Sequence, residues 1–116
     1  MRFDHEKLDV YKASIDLIVL IDDIVKDLPR GRAYLVDQFQ RAGASVPLNI
    51  AEGAGEYAIQ EKARFYRMAK RSATECSAIL DVCSHLVLID NDKFNRCKDL
   101  LVRIVSMLIK MVRTTE

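Results

Sequence analysis

Between Leu35 and Ile50 the apolar residues Leu35, Phe39, Ala42, Val46 and Ile50 recur at spacings of four, three, four and four. That spacing is one face of a helix, yet Pro47 falls inside it. A proline here removes the backbone bond to the carbonyl of Gly43 and presses its ring on the preceding turn, at a cost of about 3 kcal/mol unless neighbours compensate. Gly43 presents no side chain to obstruct a kink, and Gly53 is expected to end the helix in a left-handed conformation. The run Gln40-Arg41-Ala42-Gly43-Ala44-Ser45-Val46-Pro47-Leu48-Asn49-Ile50-Ala51-Glu52-Gly53 therefore reads as a proline-kinked helix that needs tertiary neighbours.

Three further amphipathic segments surround it. The first runs from about Leu8 to Leu28, with Val10, Leu17, Ile21, Ile24 and Leu28 on one seam and Leu8, Tyr11, Ile15, Ile18 and Val25 beside it; Pro29 and Gly31 end it. The second spans about Arg32 to Glu52, the third about Tyr57 to Leu88 and the fourth about Asn91 to Arg113. Asp90 is placed to cap the fourth helix, with Ile89 and Phe94 at the two positions of a hydrophobic staple. Short connections favour antiparallel neighbours. The expected architecture is all-α, an antiparallel up-down-up-down four-helix bundle with a proline-kinked second helix. At 116 residues, half of them hydrophobic, the chain is long enough for one domain, residues 1–116, with a single core.

Taken with Phe3-Asp4-His5-Glu6-Lys7-Leu8-Asp9-Val10-Tyr11-Lys12-Ala13 and Phe65-Tyr66-Arg67-Met68-Ala69-Lys70-Arg71-Ser72-Ala73-Thr74-Glu75, the Pro47 run resembles the four-helix-bundle proteins encoded within 23S rRNA intervening sequences. The resemblance covers nearly the whole chain and is strongest from Arg41 to Gly53, where Arg41, Pro47, Asn49, Glu52 and Gly53 match the recurring motif. It implies a small bacterial helical bundle that assembles into a ring, commonly a pentamer, with no settled reaction and no catalytic role to transfer to the motif. Where that family commonly has a serine, this chain has Ala58, so the start of the third helix lacks a side-chain cap worth about 1 kcal/mol.

From Leu100 to Val112 only Arg103, Ser106 and Lys110 interrupt an apolar run. With Arg96, Asp99 and Arg113 they form a narrow polar ribbon at spacings of three and four. One helix in a bundle buries an apolar stripe a little over 100° wide, so this broader arc implies surface that a monomer would expose. Self-association through the first and fourth helices is the expected remedy, with Leu20, Val105, Leu108 and Val112 as interface residues and Val19 adding apolar surface. A fully sheltered monomer core is the competing outcome. Adsorption to a membrane is disfavoured by the short ribbon and by Asp99 within it.

Eighteen basic against seventeen acidic side chains leave a formal charge of +1, which does not by itself mark a nucleic-acid binder. The distribution is uneven: residues 1–28 hold four basic and seven acidic groups, residues 91–116 six and three. That asymmetry would pair acidic first helices with basic fourth helices across a subunit boundary. Arg64, Arg67 and Arg71 align on the outer face of the third helix, flanked by Lys62 and Lys70 and partly neutralised by Glu61 and Glu75. As a phosphate-binding face this set, with Arg103 and Lys110, would contact ribosomal or other structured RNA, and repetition around a ring would strengthen the contact. Phe65 and Tyr66 lie toward the apolar side, so no stacking platform for sequence reading is expected. The alternative is a protein-interaction scaffold like the related accessory proteins of diversity-generating retroelements, barrel-shaped pentamers that bind a reverse transcriptase; this chain lacks their strongly basic charge.

Enzymatic motifs fail on context. Gly53-Ala54-Gly55-Glu56-Tyr57-Ala58 fits a dinucleotide-binding pattern but follows a helix where a strand is required. Gly43-Ala44-Ser45 opens like a nucleophile elbow, with Pro47 at the second glycine position. Asp90-Asn91-Asp92 opens like a calcium loop, with Phe94 at a ligand position and Leu101 in place of the closing glutamate. His85 lies one turn after Asp81, which permits a carboxylate-oriented imidazole but no nucleophile beside it. Asn49 and Glu52 are better placed to satisfy backbone groups freed by Pro47, or to face Ser72 and Glu75. Cys76, Cys83 and Cys97 lack the paired spacing of a disulfide framework or zinc module and read as core. The expectation is a non-enzymatic protein without catalytic residues, metal or cofactor. Its N-terminus lacks an apolar signal core and no apolar run spans a bilayer, which points to a cytoplasmic location.

Overall fold

The computed structural model describes residues 1–115. A short 3-10 helix, Asp4–Lys7, precedes α1 (Asp9–Val25), α2 (Ala33–Gly55), α3 (Ile59–His85) and α4 (Asn91–Thr115). No strand occurs among the described residues, and the architecture is an all-α four-helix bundle. Leu17, Phe39, Val46, Ile50, Leu80, Ile104 and Leu108 are wholly withdrawn from solvent in one contiguous core fed by all four helices. α2 packs against α1 and α3, and α4 against the same two, so α2 and α4 occupy opposite corners. Cross-helix partners step in opposite orders: Gly53 lies against Tyr66 and Ser45 bonds to Ser72. Likewise Lys98 reaches Asp81 and Ser77, while Val105, farther along α4, lines one groove with Ala73, earlier on α3. By these pairs α2 and α4 each run opposite to α3.

Local chemistry accounts for the helix ends. α1 stops at Val25, three residues before the expected Leu28: Asp27 and Leu28 N–H donate to the Ile24 and Val25 carbonyls in tighter turns, and Pro29 disfavours helical backbone at Leu28. α2 is helical through Pro47, which is buried, and continues to Gly55. Gly53 therefore does not end the helix in the left-handed region; among the glycines only Gly31, at φ 91°, has a positive φ. What Gly53 supplies is close approach: a Cβ there would lie 2.7 Å from Cε1 of Tyr66. Gly43 serves the α1 contact in the same way, its missing Cβ falling 2.6 Å from Cδ1 of Ile21.

α3 starts at Ile59 behind an extended, uncapped Ala58 and ends at His85, short of the expected Leu88. Its stop is made by Val87, which takes φ 56° while Leu88 N–H donates to the Cys83 carbonyl at 2.9 Å. This is a Schellman-type ending with a valine where glycine is usual. α4 begins as its local sequence dictates: an Asp90 carboxylate oxygen accepts from Lys93 N–H at 2.8 Å, and Ile89 and Phe94 both pack on the core. Sequence patterning did not reveal the Asp4–Lys7 turn, which packs against α2 and holds His5 edge-on to Tyr11 with ring centroids 4.6 Å apart.

Candidate functional site

The Arg41–Gly53 motif divides into an inward and an outward half. Pro47 and Gly53 are buried, Pro47 inside the bundle and Gly53 beneath Tyr66. Asn49 lies between: its Nδ2 donates to the Ser45 carbonyl at 2.9 Å and to Ser45 Oγ at 2.8 Å, and Ser72 Oγ donates to the same hydroxyl at 2.7 Å. Asn49 thus reaches α3 only through Ser45, and it bonds the Ser45 carbonyl rather than the Gly43 carbonyl that Pro47 leaves without its helical partner. Glu52 does not join it; it is exposed and borders a shallow hollow with Phe3, Asp4 and His5. Arg41 is exposed too and reaches only along its own helix, to Asp37 at 3.3 Å. Lys62 has a structural task absent from the sequence reading: its ammonium bonds the Gly53 and Ala54 carbonyls at 2.9 and 3.1 Å, capping the end of α2.

The structure turns Arg64, Arg67 and Arg71 of α3 to solvent and leaves Lys70 half-buried at the edge of that face. Arg64 is held in a fork by Glu61, at 2.9 and 3.1 Å, and lies 4.6 Å from the Phe65 ring. That carboxylate favours the charged guanidinium and, in return, is itself held below its usual range by Arg64. Arg103 and Lys110 are exposed on the outer side of α4. Between the two helices runs a groove lined by Ala73, Thr74, Ser77, Lys98, Val102 and Val105. Tyr66 is buried and Phe65 half-buried. Tyr57, expected to open the third helix, lies instead just ahead of α3 and is 100% exposed.

Apolar surface remains outside the core on both flanks of the α4 ribbon. Val102 is 62% exposed on the α3 side, and Val19 of α1 is 66% exposed beside a groove with Leu20 and Leu100. Val105 and Val112 are half-buried, as is Leu20. Leu108 corrects the expected interface: it is 0% exposed and belongs to the subunit's own core with Leu101 and Ile104. The charge asymmetry is also satisfied in part within one chain. Lys93 of α4 bonds Asp27 at 2.9 Å and Asp23 at 3.2 Å on α1, so this pairing does not require a second subunit.

Several polar groups carry no reactive arrangement. His85 Nδ1 lies 2.9 Å from the backbone carbonyl of Asp81, while the Asp81 carboxylate pairs instead with Lys98 at 2.8 Å. The carboxylate–imidazole pairing that the spacing permits does not form, and His85 is an exposed side chain whose ring meets a backbone carbonyl. Lys98 also bonds Ser77. Cys76, Cys83 and Cys97 are buried free thiols; burial pushes Cys76 and Cys97 up to about 12 and raises Cys83 as well. No cluster of His, Cys, Asp and Glu suited to a metal ion occurs among the described residues. No helix among them is long and apolar enough to cross a membrane.

A profile of the 23S rRNA-intervening sequence protein matches residues 6–110. Among solved structures, the chain is similar to a protein of unknown function from the S23 ribosomal protein family of Bacteroides thetaiotaomicron VPI-5482. The TM-score is 0.82 at 20% identity, over 89% of this chain and 97% of that one. No curated protein matches. That likeness shows the fold, and the matched residues take in all of α1, α2 and α3 and most of α4. The chain belongs to the 23S rRNA-intervening sequence protein family.

Proposed function

We propose that this protein is a non-enzymatic, self-associating helical subunit, pentameric as its family resemblance implies, that binds ribosomal or other structured RNA through repeated basic faces. The observation that carries the proposal is the shared exposure of Arg64, Arg67 and Arg71 on α3, with Arg103 and Lys110 exposed on α4. Each subunit then supplies a modest field, and several subunits sum those fields along an RNA backbone. Exposed Val19 and Val102 supply apolar surface for association, together with Leu20, Val105 and Val112. Recognition through such groups is electrostatic and tolerant of sequence.

The test is a salt titration of binding to 23S rRNA fragments, comparing the wild type with Arg64, Arg67 and Arg71 all changed to Ala. Loss of each phosphate contact lowers the salt slope by about one. Unchanged affinity and slope would exclude the α3 face, and absence of wild-type binding would exclude RNA as the partner. Light scattering on the same samples reports the subunit number.

A further inference from the structure

α2 and α4 stand at opposite corners of the bundle and run in the same direction, and each turns a charged strip to solvent. On α2 the strip is Arg41, Ala44, Leu48 and Glu52, all exposed, with Leu48 at 65%. On α4 it is Asp99, Val102, Ser106 and Lys110, also all exposed. The two strips share one spacing. Arg41 and Glu52 lie eleven residues apart, as do Asp99 and Lys110, a rise of about 16 Å in each case. The intervening positions match as well, with Ala44 and Val102 three residues in and Leu48 and Ser106 seven residues in.

We infer that the outer face of α2 docks against the outer face of α4 in a second copy of this chain, Arg41 meeting Asp99 and Glu52 meeting Lys110, with Leu48 seated beside Val102 and Ser106. The inference rests on the self-association proposed above, names the two surfaces that meet, and assigns Lys110 to the subunit contact, leaving Arg64, Arg67, Arg71 and Arg103 to face RNA. Charge selects the direction. With the helices parallel both end pairs attract; reversing one helix sets Arg41 against Lys110 and Glu52 against Asp99, so both repel.

Because α2 and α4 run the same way within one subunit, rotation about an axis along the helices brings α2 of one copy beside α4 of the next in the attractive register. A twofold axis across the helices would give the repulsive one. The contact is head-to-tail, so each copy offers one α2 face and one α4 face, and closure into a ring uses both. A single strip of four side chains is small beside the roughly 800 Å² per partner of a stable interface. Two such contacts per subunit in a closed ring hold together where one open contact would not.

Within the subunit these end groups are weakly committed. Arg41 makes only the exposed intrahelical pair with Asp37, which leaves it able to turn outward. No hydrogen bond or ion pair of the Glu52, Asp99 or Lys110 side chains occurs among the described residues. The apolar centre gives an independent reason for contact, since Leu48 and Val102 are each more than half exposed although they lie on well-packed helices.

The experiment measures mass against concentration by sedimentation equilibrium for the wild type, Arg41→Glu, Asp99→Arg and the two combined, with circular dichroism confirming an unchanged helical signal. The expected result is an assembled wild type, association weakened at least about tenfold by each single reversal, and recovery to within about threefold of wild type in the double variant. A wild type that is monomeric throughout would overturn self-association and this docking together. Assembly indifferent to the single reversals would overturn the α2–α4 pairing and leave self-association through another surface standing. A double variant as weak as the singles would overturn the register.

Discussion

Ser72 on α3 donates a 2.7 Å hydrogen bond to the hydroxyl of Ser45 on α2, two residues ahead of the buried Pro47. Asn49 completes the link from the following turn, so a hydroxyl–hydroxyl–amide chain joins the two helices where the proline removes a backbone bond. Ser45→Ala strips a partner from both Ser72 and Asn49 and should cost about 1–2 kcal/mol, whereas Ser72→Ala should cost less. Urea unfolding of the two variants and their combination measures the coupling. Additive effects would show that the two hydroxyls do not act as a pair.

Gly53 and Gly55 should respond to alanine with opposite signs. A Cβ on Gly53 would stand 2.7 and 2.8 Å from two ring carbons of Tyr66, whereas one on Gly55 meets nothing within 4 Å. The aromatic ring is too stiff to yield cheaply, so Gly53→Ala should destabilise by about 1–3 kcal/mol. Gly55→Ala restricts the unfolded chain and should stabilise by up to about 1 kcal/mol. Thermal unfolding midpoints moving in opposite directions would meet this expectation.

Val87 is a β-branched residue at φ 56°, mostly exposed, closing α3 through the bond from Leu88 to Cys83. Left-handed backbone costs a residue with a Cβ about 1–2 kcal/mol. Because so little of its side chain is packed, Val87→Gly should raise stability by about 1 kcal/mol. A lowered denaturation midpoint would instead show that the exposed side chain contributes packing.

The α1–α4 junction should weaken in acid. Lys26 and then Lys93 hold the Asp23 carboxyl below its ordinary value, so its stabilising contribution is present above the unfolded pKa and is lost as pH falls through the folded one. Asp27 and Asp23 raise Lys93, whose contribution is present below its unfolded pKa and lost only in strong alkali. The tie therefore persists at neutral pH and fails below about pH 4. Lys93→Met should flatten the acid limb of stability against pH. An unaltered limb would assign acid sensitivity to other carboxylates.

Cys76 and Cys97 are fully buried, with thiols pushed up to about 12, and Cys83 is fully buried with its thiol raised. Alkylation at neutral pH needs both access and thiolate, so iodoacetamide should modify the native protein only as it opens. Labelling of all three thiols should follow the unfolding curve. Rapid modification of one thiol without denaturant would reveal local opening around that position.

Features settled by neighbours in the chain were legible from sequence. Four amphipathic runs, the helix through Pro47, the Asp90 cap and the solvent face of Arg64, Arg67 and Arg71 all follow from spacing and local backbone chemistry. The same spacing could not tell a glycine that ends a helix from one that admits a ring, and Gly53 proved to be the second kind. It could not foresee that Lys93 would meet Asp23 and Asp27, far away in sequence, inside one subunit.

The apolar arc of α4 marks the division most clearly. Sequence established that the arc is wider than one seam, and Leu20, Val105, Leu108 and Val112 were all compatible with an outer surface. Only packing decided that Leu108 points inward while Val102 stays exposed. Hydrophobic periodicity defines how side chains are distributed around a helix; the rotation of that helix about its own axis is set by the neighbours it packs against.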